Sequence, residues 1–92
     1  MKTLIISDAH IGDSRYANDH VIDFLKKSTF SRLIIAGDFI DLWANTIDVI
    51  LQDPLFKLVA DMAATKDIIW VLGNHDSNAN KVIPLRNVYM VD

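Results

Sequence analysis

Three short apolar runs, "KTLIIS" (2–7), "RLIIAG" (32–37) and "DIIWVLG" (67–73), constrain this chain more than any other feature in it. Each is rich in branched side chains and apolar at consecutive rather than alternate positions. That pattern predicts strands covered on both faces, as in a parallel sheet. The stretches between the runs carry helical spacing. "NDHVIDFLKKS" begins with Asn18 or Asp19 as a cap and places Val21, Phe24 and Leu25 on one face. At 53–54, "DP" reads as Asp53 at an N-cap and Pro54 in the first turn of a helix that aligns Leu55, Leu58, Val59 and Met62. A shorter helix is expected over 46–51. "NVYMVD" (87–92) reads as a fourth strand, reached through a loop containing Pro84.

The expected order is therefore β-α-β-α-β-loop-β, an α/β fold with a mainly parallel sheet and right-handed crossovers. The polar clusters then fall at comparable places. "SDAHIGD" follows the first strand, "GDFIDLW" ends the second and "GNHDS" ends the third. These are the carboxyl ends of parallel strands, where open α/β sheets build their sites. One sheet edge would gather Asp8, His10, Asp13, Asp38, Asp41, Asn74, His75 and Asp76.

Ninety-two residues form at most one domain. A net charge of −3 offers no nucleic-acid-binding patch and no attraction to an anionic membrane. No run reaches membrane-spanning length, and "MKTLIIS" is too short in its apolar part for a signal peptide. A cytoplasmic protein is expected. The absence of cysteine removes disulfides, thiolate metal sites and cysteine nucleophiles together. All twelve acidic residues are aspartates, a residue that favours loops, caps and hard metals.

Asp8 and His10 are two apart, so on extended backbone they point the same way and can grip one divalent cation. Asp38 brings two oxygens from the next strand, enough to bridge two ions, and Asn74 offers an amide oxygen. Such a mixed O/N set suits Mn, Fe, Zn, Co or Mg. Crowded carboxylates repel one another unless cations compensate them. The competing structural readings are an N-cap for Asp38 and a plain Gly-Asn turn at 73–74. Asp13 reads as a solvated loop acid, Arg15 and His20 as surface residues, and Trp43 and Trp70 as core or rim aromatics.

Taken in order, "D-x-H" at Asp8–His10, "G-D-x-x-D" at Gly37–Asp41 and "G-N-H-D" at Gly73–Asp76 resemble the calcineurin-like metallophosphoesterases. Within them, "GDFIDLW" looks closest to the branch containing the UDP-2,3-diacylglucosamine pyrophosphohydrolases. The resemblance implies one half of an αββα sandwich. It also implies that Asp8 and His10 bind a first metal, Asp38 bridges both metals and Asn74 binds the second. His75 would face the phosphoryl group and Asp76 would hold the His75 ring, with Asp41 behind the ligands. The reaction implied is two-metal hydrolysis of a phosphorylated small molecule or phosphodiester, with a metal-activated water attacking phosphorus in line.

The chain also departs from that pattern. Members take two further histidines for the second metal, and a "GHxH"-type motif completes the first, yet no histidine follows His75. The chain is thus expected to be the amino-terminal portion (1–92) of a longer domain. A bare sheet face would then be covered by the missing carboxyl-terminal half or by a homo-oligomer. Whether it is an enzyme by itself stays open. The rival reading is an inactive α/β module that binds a cation weakly and associates through the exposed face. A response-regulator-like phosphoacceptor would need adjacent acids after the first strand and a late lysine, and "SDAH" speaks against it.

Overall fold

The computed structural model of the chain describes residues 2–77, 79, 83 and 87–91. Its strands are β1 (Thr3–Ile6), β2 (Arg32–Ala36), β3 (Asp67–Val71) and β4 (Val88–Val91), and its helices are α1 (Asp19–Lys27), α2 (Ile47–Ile50) and α3 (Pro54–Met62). All strand pairs are parallel and the sheet order is β1-β2-β3-β4. The α/β architecture expected of a metallophosphoesterase half is therefore present. The loop at Pro84 and the residue Asp92 lie outside the described residues.

The strand order explains which face is covered. When parallel strands follow one another in chain order, right-handed crossovers all pass over the same face of the sheet. Leu4, Leu33, Ile35, Ile68 and Trp70 are accordingly buried, together with Leu25 of α1 and Leu55, Phe56 and Val59 of α3. Complete burial of such a side chain contributes about 1.5–3 kcal/mol. The alternate positions fare differently: Ile5 is 66% exposed and Tyr89 68%. Strands covered on both faces are thus not what the described residues show. The consecutive apolar runs are buried with a period of two, because among the described residues no connection crosses the far face.

The helices begin as their caps dictate. Asp53 accepts hydrogen bonds from the N–H groups of Leu55 at 2.8 Å and Phe56 at 3.4 Å, and Pro54 opens α3. Asn18 occupies the N-cap position of α1, but its side-chain amide donates to the Ala9 carbonyl at 2.9 Å instead of capping. Phe24 was expected in the core and is 49% exposed; on this nine-residue helix Leu25 is the side chain that turns fully inward.

Beyond the strands, backbone pairing continues. The N–H groups of His10 and Ile11 donate to the Asp38 and Phe39 carbonyls at 3.0 and 2.9 Å, and Asp41 N–H donates to the Ile11 carbonyl at 2.7 Å. Leu42 N–H reaches the His75 carbonyl at 3.1 Å. Ile11, Phe39 and Ile40 are buried and anchor this extension. The three loops at the carboxyl edge are therefore laced together and not merely adjacent.

Candidate metal centre

The expectation that Asp8 and His10 converge on extended backbone fails in its premise and holds in its result. Asp8, His10 and Asp38 all have left-handed backbone, with φ of 57°, 46° and 49°. Asp and His tolerate this region better than most residues, yet a non-glycine residue there carries about 1–2 kcal/mol of strain. Nevertheless one ligand atom each from Asp8, His10 and Asp38 lies within 4.8 Å of the others. Backbone strain of this kind clusters at active sites and ligand clamps. A fourth such residue, Asn87 at φ 63°, stands at the entry to β4.

Glycines make room for this. Gly37 adopts φ +82° where β2 turns, and its N–H donates to the Val71 carbonyl at 2.8 Å. A methyl group on Gly73 would sit 2.5 Å from Asp38 Oδ1 and 2.7 Å from the Asp38 amide nitrogen. Only a residue without Cβ lets the turn after β3 lie against Asp38. Asp38 Oδ1 then accepts the His75 N–H at 2.9 Å, which fixes the carboxylate. Asn74 is exposed on the same turn, between the glycine that touches Asp38 and the residue whose N–H holds it.

Asp41, which sequence reasoning set in the background, is the hub. It is 2% exposed, and its Oδ1 accepts the N–H groups of Trp43 and Ala44 at 3.1 and 3.0 Å. Its Oδ2 lies 3.2 Å from His10 Nδ1 in a hydrogen bond. The same oxygen lies 2.9 Å from His75 Nδ1, too far out of line to be a hydrogen bond, so that contact is electrostatic. Burial by itself would raise the Asp41 pKa, but the His75 and His10 rings and the Ala44 N–H outweigh it and hold the carboxyl below its ordinary value. The Asp41 carboxylate in turn raises the pKa of His75 against the effect of burial.

The role expected of Asp76 is therefore corrected. Its carboxylate does not steady the His75 ring. It is fully buried and accepts from the Phe39 N–H at 2.7 Å, from Trp70 Nε1 at 3.0 Å and from the Gly73 N–H. A buried donor left unpaired costs about 1–3 kcal/mol, and three such donors claim this carboxylate for the turn itself. Asp41 takes the place beside His75. Asp13 also departs from expectation: it is 8% exposed, and Arg15 grips it with Nε at 3.0 Å and Nη2 at 2.6 Å. The pair holds the Asp13 pKa at about 2.

Two aromatic rings complete the surroundings. Tyr16 stacks on His10 with ring centroids 4.5 Å apart, and Trp43, 71% exposed, lies 4.0 Å from the His75 ring. Trp43 is thus a rim aromatic, and Trp70 belongs to the core. Tyr16 escaped the sequence reading, since nothing in "DSRYAND" distinguishes it from a loop tyrosine. His20 is exposed near the start of α1 and belongs to neither group of converging ligand atoms.

The donor set fits a hard or borderline divalent cation: two carboxylates and one imidazole converge, and a carboxylate backs the imidazole. The match to known proteins agrees. The calcineurin-like phosphoesterase family model matches residues 1–91, so this chain belongs to that family of metal-dependent phosphoesterases. No curated protein and no solved structure matches it. Among the described residues no helix is long and apolar enough to cross a membrane.

Proposed function

We propose that Asp8, His10, Asp38 and Asn74 hold a pair of divalent cations and that this edge hydrolyses a phosphoester or pyrophosphate bond. The arrangement of His10 carries the proposal. An ionised carboxylate can only accept, so Asp41 keeps the proton of His10 on Nδ1 and leaves Nε2 free toward Asp8, 3.8 Å away. A carboxylate–histidine pair of this kind is how metal-binding imidazoles are oriented and made more basic.

Bound divalent ions would supply Lewis acidity and an activated water. The protein's own side chains would do the remainder. Asp38, pinned by the His75 N–H, presents a fixed carboxylate. His75 is pushed toward its protonated form by Asp41, so it can donate a hydrogen bond to phosphoryl oxygen or a proton to the leaving oxygen. The substrate class is a phosphorylated small molecule or phosphodiester, with a pyrophosphate the member to which the "GDFIDLW" resemblance points. Manganese is the metal with which to begin.

A second reading is favoured by the histidine inventory, since two of the three histidines, His10 and His75, enter the converging ligand groups. In that reading the site binds a cation without turnover. One experiment separates them: titrate the chain with Mn²⁺ by electron paramagnetic resonance while assaying bis-p-nitrophenyl phosphate hydrolysis. Binding with hydrolysis, both lost in Asp38→Asn, supports the enzyme. Binding alone supports the second reading, and no binding overturns the metal site.

A further inference from the structure

We propose, resting on the reading of His10 as a metal ligand, that Tyr16 is a positioning residue: its ring fixes the plane of the His10 imidazole and so aims Nε2. The lone pair of an unprotonated imidazole nitrogen lies in the plane of the ring, so a histidine offers a cation a single direction. The hydrogen bond between His10 Nδ1 and Asp41 Oδ2 is 3.2 Å long. One such bond tolerates tens of degrees of misalignment and by itself holds the ring plane loosely. A second flat ring laid on the imidazole removes that freedom. Tyr16 lies 4.5 Å from His10 between centroids, with the planes only 22° apart, a spacing that aromatic pairs favour.

The loop between β1 and α1 is built to deliver that ring. Asp13 N–H donates to the His10 carbonyl and Tyr16 N–H to the Asp13 carbonyl, both at 3.0 Å, so two successive turns carry residue 16 back over residue 10. Inside the second turn the Asp13 carboxylate accepts the Arg15 N–H at 3.0 Å as well as the guanidinium, which locks the residue before Tyr16. Asn18 closes the loop at its far end, on the carbonyl of Ala9 beside His10. That bond draws the Asn18 side chain away from the N-cap of α1, where it would ordinarily stabilise the helix. A helix cap forgone, a buried carboxylate and a bidentate arginine thus all serve one loop. Tyr16 itself is 44% exposed, so burial alone does not account for its place.

Proton NMR of the metal-free chain at constant pH, followed by Mn²⁺ titration by electron paramagnetic resonance, tests the proposal. In wild type the Tyr16 and His10 ring protons should show mutual nuclear Overhauser effects, the His10 resonances being identified by their loss in His10→Gln. Tyr16→Phe keeps the stack, so the His10 ring protons should stay shielded and the Mn²⁺ affinity should stay within about twofold. Tyr16→Leu keeps an apolar cover without an aromatic plane. There the same resonances should move downfield and the affinity should fall about three- to tenfold, the worth of an aromatic pair. Tyr16→Met repeats the test with a flexible cover if Tyr16→Leu fails to fold. Resonances that stay in place in these variants overturn the proposal. So does downfield movement with unchanged affinity, because the ring would then be stacked without aiming the ligand. A wild type that binds no Mn²⁺ overturns the metal reading and the proposal with it, so the wild-type titration separates the two failures.

Discussion

Gly73 and Asp38 touch so closely that the space for a single methyl group is already taken by the aspartate's carboxylate oxygen, 2.5 Å from where that carbon would stand, and by its amide nitrogen. The second contact is the decisive one, because a side chain can swing aside, whereas the backbone nitrogen moves only with the segment whose Asp38 carbonyl pairs with the His10 N–H. Gly73→Ala should therefore displace the turn that holds Asp38. We expect a loss of about 1–3 kcal/mol in urea unfolding, typical of overpacking, and a Mn²⁺ affinity at least tenfold weaker. Unchanged affinity would show that Asp38 is not held by this turn.

Asp76 serves the same turn from below. Replacing it by alanine strands the N–H groups of Phe39, Gly73 and Trp70 in a buried place. The expected cost is roughly 3 kcal/mol or more. Trp70 fluorescence should shift in the native state, since its Nε1 loses its acceptor. A neutral outcome in chemical denaturation would return Asp76 to the candidate chemistry.

The ionisation of His75 depends on Asp41. Without added metal, its raised pKa means that the histidine's contribution to stability is complete below the ordinary value of 6.5 and is lost as pH rises through the higher native value. Asp41→Asn removes the largest cause. The His75 ring proton resonances should then titrate at lower pH, and the stability–pH curve should flatten above 6.5. A titration midpoint that does not move would contradict the contact.

Asp13 gives the opposite sign. Its pKa is lowered from 3.8 to about 2, chiefly by the Arg15 side chain. Its contribution is present above 3.8 and disappears as pH falls toward 2. Arg15→Gln should move the Asp13 carboxyl carbon titration upward toward 3.8 and raise the midpoint of acid unfolding. Identical titration in the variant would show that the pair does not form in solution.

Much of this architecture could be read from residues. "TLII", "RLIIA" and "DIIWV" lie inside β1, β2 and β3, and the Asp53–Pro54 cap opens α3. The places of Asp8, His10 and Asp38 followed from where those runs stop. Phe24 could not be read: on a short helix, a few tens of degrees of rotation decide between core and solvent. The pairing of acids with histidines was also illegible. Asp41 and Asp76 look equivalent as loop aspartates, one three residues after Asp38 and the other directly after His75. The family resemblance implied Asp76 as the partner of His75, but the turn's donors, the N–H groups of Phe39 and Gly73 and Trp70 Nε1, drew its carboxylate inward.

Local sequence determined that there would be strands, that polar loops would leave their carboxyl ends, and which ligand-bearing residues those loops would carry. These follow from side-chain shape and backbone preference over a few neighbours. Tertiary structure alone decided the order of the strands, the uncovered face, the left-handed backbone that turns Asp8, His10 and Asp38 together, and the choice of Asp41 as hub. Each of those depends on which distant segments compete for the same space and the same hydrogen bonds, and no local pattern encodes the winner.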